Sequence, residues 1–157
     1  MASTEENLST SGIVLPDIAL PAGLYQPAIR TGELVFTSGQ LPLANGKLIE
    51  PGGKGAVNDL REHEVTMAAR VAALNAVAAL RSVTGNLDMV TRIVKLTVYV
   101  SSAPGFTSQH KVANGASELI GEIFGDCGRH VRSAVGVSSL PLDASVEVEL
   151  LASCLSF

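Results

Sequence analysis

The hydrophobic patterning of this 157-residue chain predicts an α+β fold: a mixed sheet with two helices packed on one face, in the order β-β-α-β-α-β-β. Three observations carry that reading. An alanine-rich run over residues 59–84 has helical spacing. Residues 89–100 and 145–153 alternate apolar and polar, as half-buried strands do. Glycine or proline separates each run from the next. The length suits one domain. No linker divides helices from strands, so residues 13–157 read as a single domain behind a flexible tail over 1–12.

Taken in order, the tail is acidic and polar, MASTEENLSTSG. Residues 13–24 are apolar but interrupted by Pro16, Pro21 and Gly23, which fits an extended segment or short edge strand lying against the body. Leu34-Val35-Phe36-Thr37 is the first clear strand, closed by Ser38-Gly39-Gln40-Leu41-Pro42. Asn45-Gly46 between Leu43 and Leu48 marks a tight hairpin. Asp59 is the expected N-cap of the first helix, with Glu62 as its capping-box partner. Leu60, Met67, Val71, Leu74 and Ala78 trace its expected apolar stripe, and Gly85 stops it. In the next strand Val94, Leu96, Val98 and Val100 are expected to face the core. A second helix starts near Thr107 or Ser108, carries Val112, Ala116, Leu119, Ile120 and Ile123, and ends at Gly125. Its interior Gly115 and Gly121 each cost about 1 kcal/mol against alanine. Residues 133–140 and 145–153 are the last strands. In the final one Val146, Val148, Leu150 and Ala152 oppose Glu147 and Glu149. With both helices on one side, the other sheet face needs a cover, and a closed oligomer is the simplest one.

Composition narrows the function classes. Fifteen acidic residues against eleven basic ones leave a net charge of −4. The densest basic group, Arg129, His130 and Arg132, suffices for a small anion but not for tracking nucleic acid. Cys127 and Cys154 form no metal or disulfide framework; they can pair, but buried free thiols are the cheaper reading. His63, His110 and His130 lack the spacing of a metal set, so no metal or other cofactor is expected. The apolar stretches break well before the roughly 18 residues a membrane span needs, and the start is unlike a positively charged signal region. The expectation is a cytoplasmic protein without a membrane partner. Hydrophobic residues at 46% against 17% charged leave surplus apolar surface, either for other subunits to cover or left in water as single exposed residues.

A few polar residues invite chemistry. Arg132 opens a strand after Gly125-Asp126-Cys127-Gly128, where its planar fork can grip a carboxylate or simply point into solvent. Glu147, on the polar side of the last strand, is placed to approach Arg132 across the sheet or to form a weak surface pair. Asn114 is awkward inside a helix and either faces a cleft or interrupts the helix. Tyr25 and Ser38 flank the first hairpin as ordinary hydroxyls.

Thr37-Ser38-Gly39-Gln40-Leu41-Pro42, Arg132-Ser133 and Leu140-Pro141 followed by Val146-Glu147-Val148-Glu149 together resemble the Rid family of reactive-intermediate deaminases, the YjgF type, over about residues 20–153. The resemblance implies a chorismate-mutase-like fold and a homotrimer with a cleft at each subunit interface. It also implies hydrolysis of a 2-imino or 2-enamino acid, with a small carboxylate-bearing substrate or ligand as the partner. It puts Arg132 on the substrate carboxylate and Glu147 where an acidic residue orients water. Tyr25, Ser38, Gly39 and Asn114 fall on cleft-lining positions. The family's deaminase branch has Pro-Ala before the arginine and Ser-Cys after it. Here the string is His130-Val131-Arg132-Ser133-Ala134, which removes a pocket thiol and leaves a non-catalytic carboxylate sensor as the alternative.

Overall fold

A computed structural model describes residues 1–18, 20–21 and 23–156. They form α1 (Thr4–Ser11), β1 (Ala28–Thr31), β2 (Leu34–Thr37), the small hairpin β3 (Leu43–Ala44) and β4 (Lys47–Leu48), α2 (Glu62–Thr84), β5 (Val90–Ser101), α3 (Gln109–Phe124), β6 (Val131–Val137) and β7 (Val146–Cys154). One mixed sheet has the order β1-β2-β7-β5-β6. β5 and β6 run parallel, with α3 as their crossover, and the other neighbours are antiparallel. The predicted order of strands and helices is present. Asn45 and Gly46 take positive φ of 53° and 77°, as the hairpin turn requires.

The first residues depart from the expected loose tail. Ser3 accepts from the Glu6 backbone at 3.2 Å, and the Glu6 carboxylate accepts from the Ser3 backbone at 2.8 Å, a complete capping box on α1. Leu8 is buried. Asn7 Nδ2 donates to the Ile123 carbonyl at 3.0 Å, and Glu5 pairs with Arg81 at 3.1 Å. These contacts hold α1 against α3 and the end of α2. Beyond it, Ile13 and Leu15 pack on the core while Val14 stays exposed, and no strand forms among the described residues of 13–24.

α2 starts later than expected, and of its expected stripe only Ala78 is buried, with Leu74 partly buried against the core. Asn58, not Asp59, is the cap: its Oδ1 accepts from Leu60 N at 3.1 Å over a short 3-10 turn, and α2 begins at Glu62. Arg61 ties the incoming loop to Glu64 and to the carbonyls of Ala56 and Lys54, at 2.7 to 2.8 Å. The buried face is Val65, Ala68, Ala69, Ala72, Ala73, Ala76, Val77 and Leu80, whereas Leu60 is almost fully exposed. Met67, Val71 and Leu74 line a groove with Ile13 and Leu119. Side-chain volume decides this outcome. Alanines let α2 lie close to the sheet and to α3, and a Cβ on Gly115 of α3 would sit 1.9 Å from the Thr66 carbonyl oxygen.

A register shift in β5 between Ile93 and Lys95 turns Ile93 inward beside Leu96 and leaves Val94 only half-buried. β7 alternates as predicted, with Val146, Val148, Leu150 and Ala152 buried. The sheet face away from the helices carries Glu147 and Glu149 together with exposed Ile29, Phe36, Val131 and Val135. Cys127 and Cys154 are free thiols, and burial pushes Cys154 up. Among the described residues no helix is long and apolar enough to cross a membrane.

Candidate functional site

β6 pairs in parallel register with β5, so Arg132 stands beside Leu96, which faces the helices. Its side chain lies under α3 rather than in open solvent. Nη1 donates to Asn114 Oδ1 at 2.9 Å and to Ser117 Oγ at 3.0 Å, and Nη2 donates to the His110 carbonyl at 3.0 Å. Residues 110, 114 and 117 share one face of α3 because they are four and three apart. A guanidinium has five N–H donors, and α3 takes three of them. The remaining two, one on Nε and one on Nη2, match the number a bidentate carboxylate accepts.

A second cluster forms where β2 ends beside β7. Ser38 N donates to the Pro27 carbonyl at 2.8 Å, and its Oγ donates to the Gln26 carbonyl at 2.6 Å. Gln40 and Val148 exchange backbone hydrogen bonds of 2.8 and 2.9 Å, which brings Gly39 over Glu147. A Cβ on Gly39 would fall 2.1 Å from Glu147 Oε1, so glycine is what gives the carboxylate room. Burial, and then the like charge of Glu149, raise the Glu147 carboxyl above the usual glutamate range. Glu149 itself accepts from Tyr99 Oη at 2.9 Å. Tyr25, half exposed, shares with Gly39 a cavity of about 750 Å³ walled by Leu15, Ile18, Leu41 and Leu142.

The structure therefore joins Arg132 to Asn114 and sets Gly39 against Glu147, with Ser38 tied to the Gln26 and Pro27 carbonyls instead, and it separates the two groups. β5 lies between β6 and β7. Arg132 points to the helix side, while Glu147 is registered with Tyr99 on the opposite side. The expected approach of Glu147 to Arg132 across the sheet does not occur within one chain. Sequence reasoning also missed Ser117, and it read His130 only as a member of the basic group and as no metal ligand. Ser117 Oγ lies 2.9 Å from His130 Nε2, and the signal that could have found it was its helical spacing from Asn114. No cluster of three His, Cys, Asp or Glu residues able to hold a metal occurs among the described residues.

The family model described as "YjgF/chorismate_mutase-like, putative endoribonuclease" matches residues 5–154. Protein TCP17 of Trypanosoma cruzi is 45% identical over 146 residues, 92% of this chain and 90% of that one. Among solved structures, the chain is similar to an Agrobacterium tumefaciens protein of unknown function, with 38% identity and a TM-score of 0.85 over 97% of this chain and 92% of the other. It is also similar to a Shewanella oneidensis protein described as a putative endoribonuclease, with 33% identity and a TM-score of 0.89 over 97% and 99% of the two chains. Agreement of sequence and fold along nearly the whole length shows common descent rather than a shared architecture alone: this chain belongs to the Rid/YjgF family and has its chorismate-mutase-like fold.

Proposed function

We propose that the protein hydrolyses a reactive 2-imino or 2-enamino acid to the 2-oxo acid and ammonium. The observation that carries this reading is the Arg132 guanidinium, held by α3 with two N–H groups left over for one carboxylate. The Arg132 charge neutralises the substrate carboxylate, and backbone groups of the neighbouring strand hold the imine nitrogen and a water. Glu147 takes a proton from that water as its oxygen bonds to the imine carbon. It returns that proton to nitrogen to complete the carbinolamine, then carries the carbinolamine hydroxyl proton to nitrogen as the carbon–nitrogen bond breaks and the carbonyl forms, so water and imine become 2-oxo acid and ammonia, which is protonated in solution. A carboxyl raised by burial holds a proton more readily than an ordinary glutamate, which suits it to take one from water and give it back.

Because the two clusters lie on opposite faces of one sheet, the reading includes a homotrimer. Its cleft would combine Arg132 and Asn114 of one subunit with Glu147, Ser38, Gly39 and Tyr25 of the next. The exposed Ile29, Phe36, Val131 and Val135 supply apolar surface for that assembly. A cytoplasmic setting fits the same reading. RNA cleavage fits less well with a net charge of −4 and no basic track.

A second reading, a carboxylate sensor that performs no reaction, is favoured by Ala134 standing where the deaminase branch has a thiol. The deciding measurement is release of 2-oxo acid and ammonium from 2-imino acids generated in situ, beside calorimetric titration of 2-oxo acids. Turnover above the uncatalysed rate that Arg132→Ala abolishes supports the hydrolase. Saturable binding without acceleration across several side chains refutes it in favour of the sensor.

A further inference from the structure

We infer that Ser117 and His130 are positioning residues that fix the Arg132 guanidinium for its carboxylate; this deepens the function proposed above and rests on it. A serine inside a helix has an easier partner in the carbonyl one turn back. Thr10, Thr66 and Thr84 take that bond to the carbonyls of Glu6, Glu62 and Leu80, and Ser82 bonds to Ala79. Ser117 turns outward instead, 2.9 Å from His130 Nε2 and 3.0 Å from Arg132 Nη1.

The direction of each bond follows from what its partner can do. His130 Nδ1 lies 2.6 Å from the Gly128 carbonyl oxygen, which can only accept. The neutral ring therefore carries its proton on Nδ1, and Nε2 is an acceptor. Ser117 donates its hydroxyl proton to Nε2, which leaves its lone pairs for Arg132. The carbonyl that sets the tautomer is itself fixed: Gly128 is buried, and a Cβ there would lie 2.7 Å from the Ile120 carbonyl oxygen. Without an acceptor at Nε2, the Ser117 hydroxyl turns back to the Ala113 carbonyl. Arg132 then loses one of its two Nη1 partners, and its fork is free to rotate away from a ligand.

The test compares Ser117→Ala, His130→Asn and His130→Gln with the unsubstituted protein. Its two readouts are calorimetric affinity for 2-oxobutanoate and the ¹⁵N–¹H signals of the Arg132 guanidinium. Asn reaches only the place of Nδ1 and keeps the Gly128 bond, whereas Gln can set an acceptor at the place of Nε2. Loss of a hydrogen bond to a charged group implies about tenfold weaker binding in Ser117→Ala and His130→Asn. Their Nη1 protons should exchange faster, and His130→Gln should restore both properties. Unchanged affinity and unchanged guanidinium signals in Ser117→Ala would overturn the inference, as would His130→Gln behaving like His130→Asn. If the unsubstituted protein does not bind 2-oxobutanoate but the guanidinium signals respond as described, the carboxylate reading fails and the positioning role stands.

Discussion

Replacing Gly39 with alanine tests the Glu147 half of the site with little disturbance to the fold. The added Cβ would lie 2.1 Å from Glu147 Oε1, 2.7 Å from its Cδ and 3.0 Å from its Cγ. Non-bonded heavy atoms settle at about 3.5 Å, so the carboxylate has to retreat by about 1 Å or more. The backbone has little room to yield, because adjacent Gln40 is bonded in both directions to Val148 at 2.8 and 2.9 Å. The flexible end of Glu147 moves instead. A misplacement of about 1 Å at a reacting centre costs about a hundredfold in rate, and loss of a general base costs about 10²–10⁴-fold. The expected result for Gly39→Ala is kcat lower by about a hundredfold, with KM within about threefold because the Arg132 contacts are untouched. The melting midpoint should stay within about 3 °C. Ammonium release from in situ 2-imino acid, measured beside thermal denaturation, gives all three values. A variant that keeps its kcat would show that Glu147 does not act on the water, and the mechanism would have to be redrawn.

Glu147→Gln should be less active yet more stable. Its raised folded-state pKa means that the native protein binds that proton more tightly than the unfolded chain does, so ionised Glu147 costs stability once pH rises past that value. The midpoint of Glu147→Gln should therefore exceed that of the unsubstituted protein at about pH 8 and lose the advantage below about pH 4, where the carboxyl is neutral in both states. Arg132→Lys should raise KM by about tenfold or more, since an ammonium cannot serve Asn114, Ser117, the His110 carbonyl and a carboxylate at once; an unchanged KM would contradict the fork geometry. In α3, Gly115→Ala should destabilise by about 1–3 kcal/mol through the clash with the Thr66 carbonyl, whereas Gly121→Ala, with nothing within 4 Å of its Cβ, should stabilise by up to about 1 kcal/mol. Urea denaturation of the two variants reads both signs, and equal effects would refute the close helix crossing.

The parts of the fold legible in the sequence were those where one physical signal dominates. β7 shows clean alternation because one face is fully buried and the other is not. Gly85 and Gly125 stop their helices as expected, and Asn45-Gly46 makes its turn. α2 misled because hydrophobicity and size point to different faces. The large residues Leu60 and Met67 stay outside, Leu74 is only partly buried, and the alanines go in where two backbones approach. The α1 signature was in plain view at Ser3 and Glu6, but the polarity of the segment masked it. Val94 failed because a bulge changes parity without leaving a mark in composition. For the site, the Asn114 and Arg132 association followed from the family pattern. The Ser117 and His130 contacts did not, since they depend on how β6 lies beneath α3.

The division of the site also links assembly to chemistry. Val135, Tyr99 and Glu147 lie in one row across β6, β5 and β7, on the face that carries Ile29 and Phe36. A neighbouring subunit laid on that face to cover the apolar residues would remove water from Glu147 at the same time. Dehydration disfavours the charged carboxylate, so it would push Glu147 further in the direction burial already takes it. The same contact would bring the neighbour's half of the site to the carboxylate. In a monomer Arg132 would still bind an anion, because its three partners all come from its own chain. Under the proposed mechanism, only its union with Glu147 would need a second copy. Binding and turnover should therefore part company when the assembly is broken: a monomeric variant would keep affinity for a 2-oxo acid within about an order of magnitude while losing the contribution of its general base.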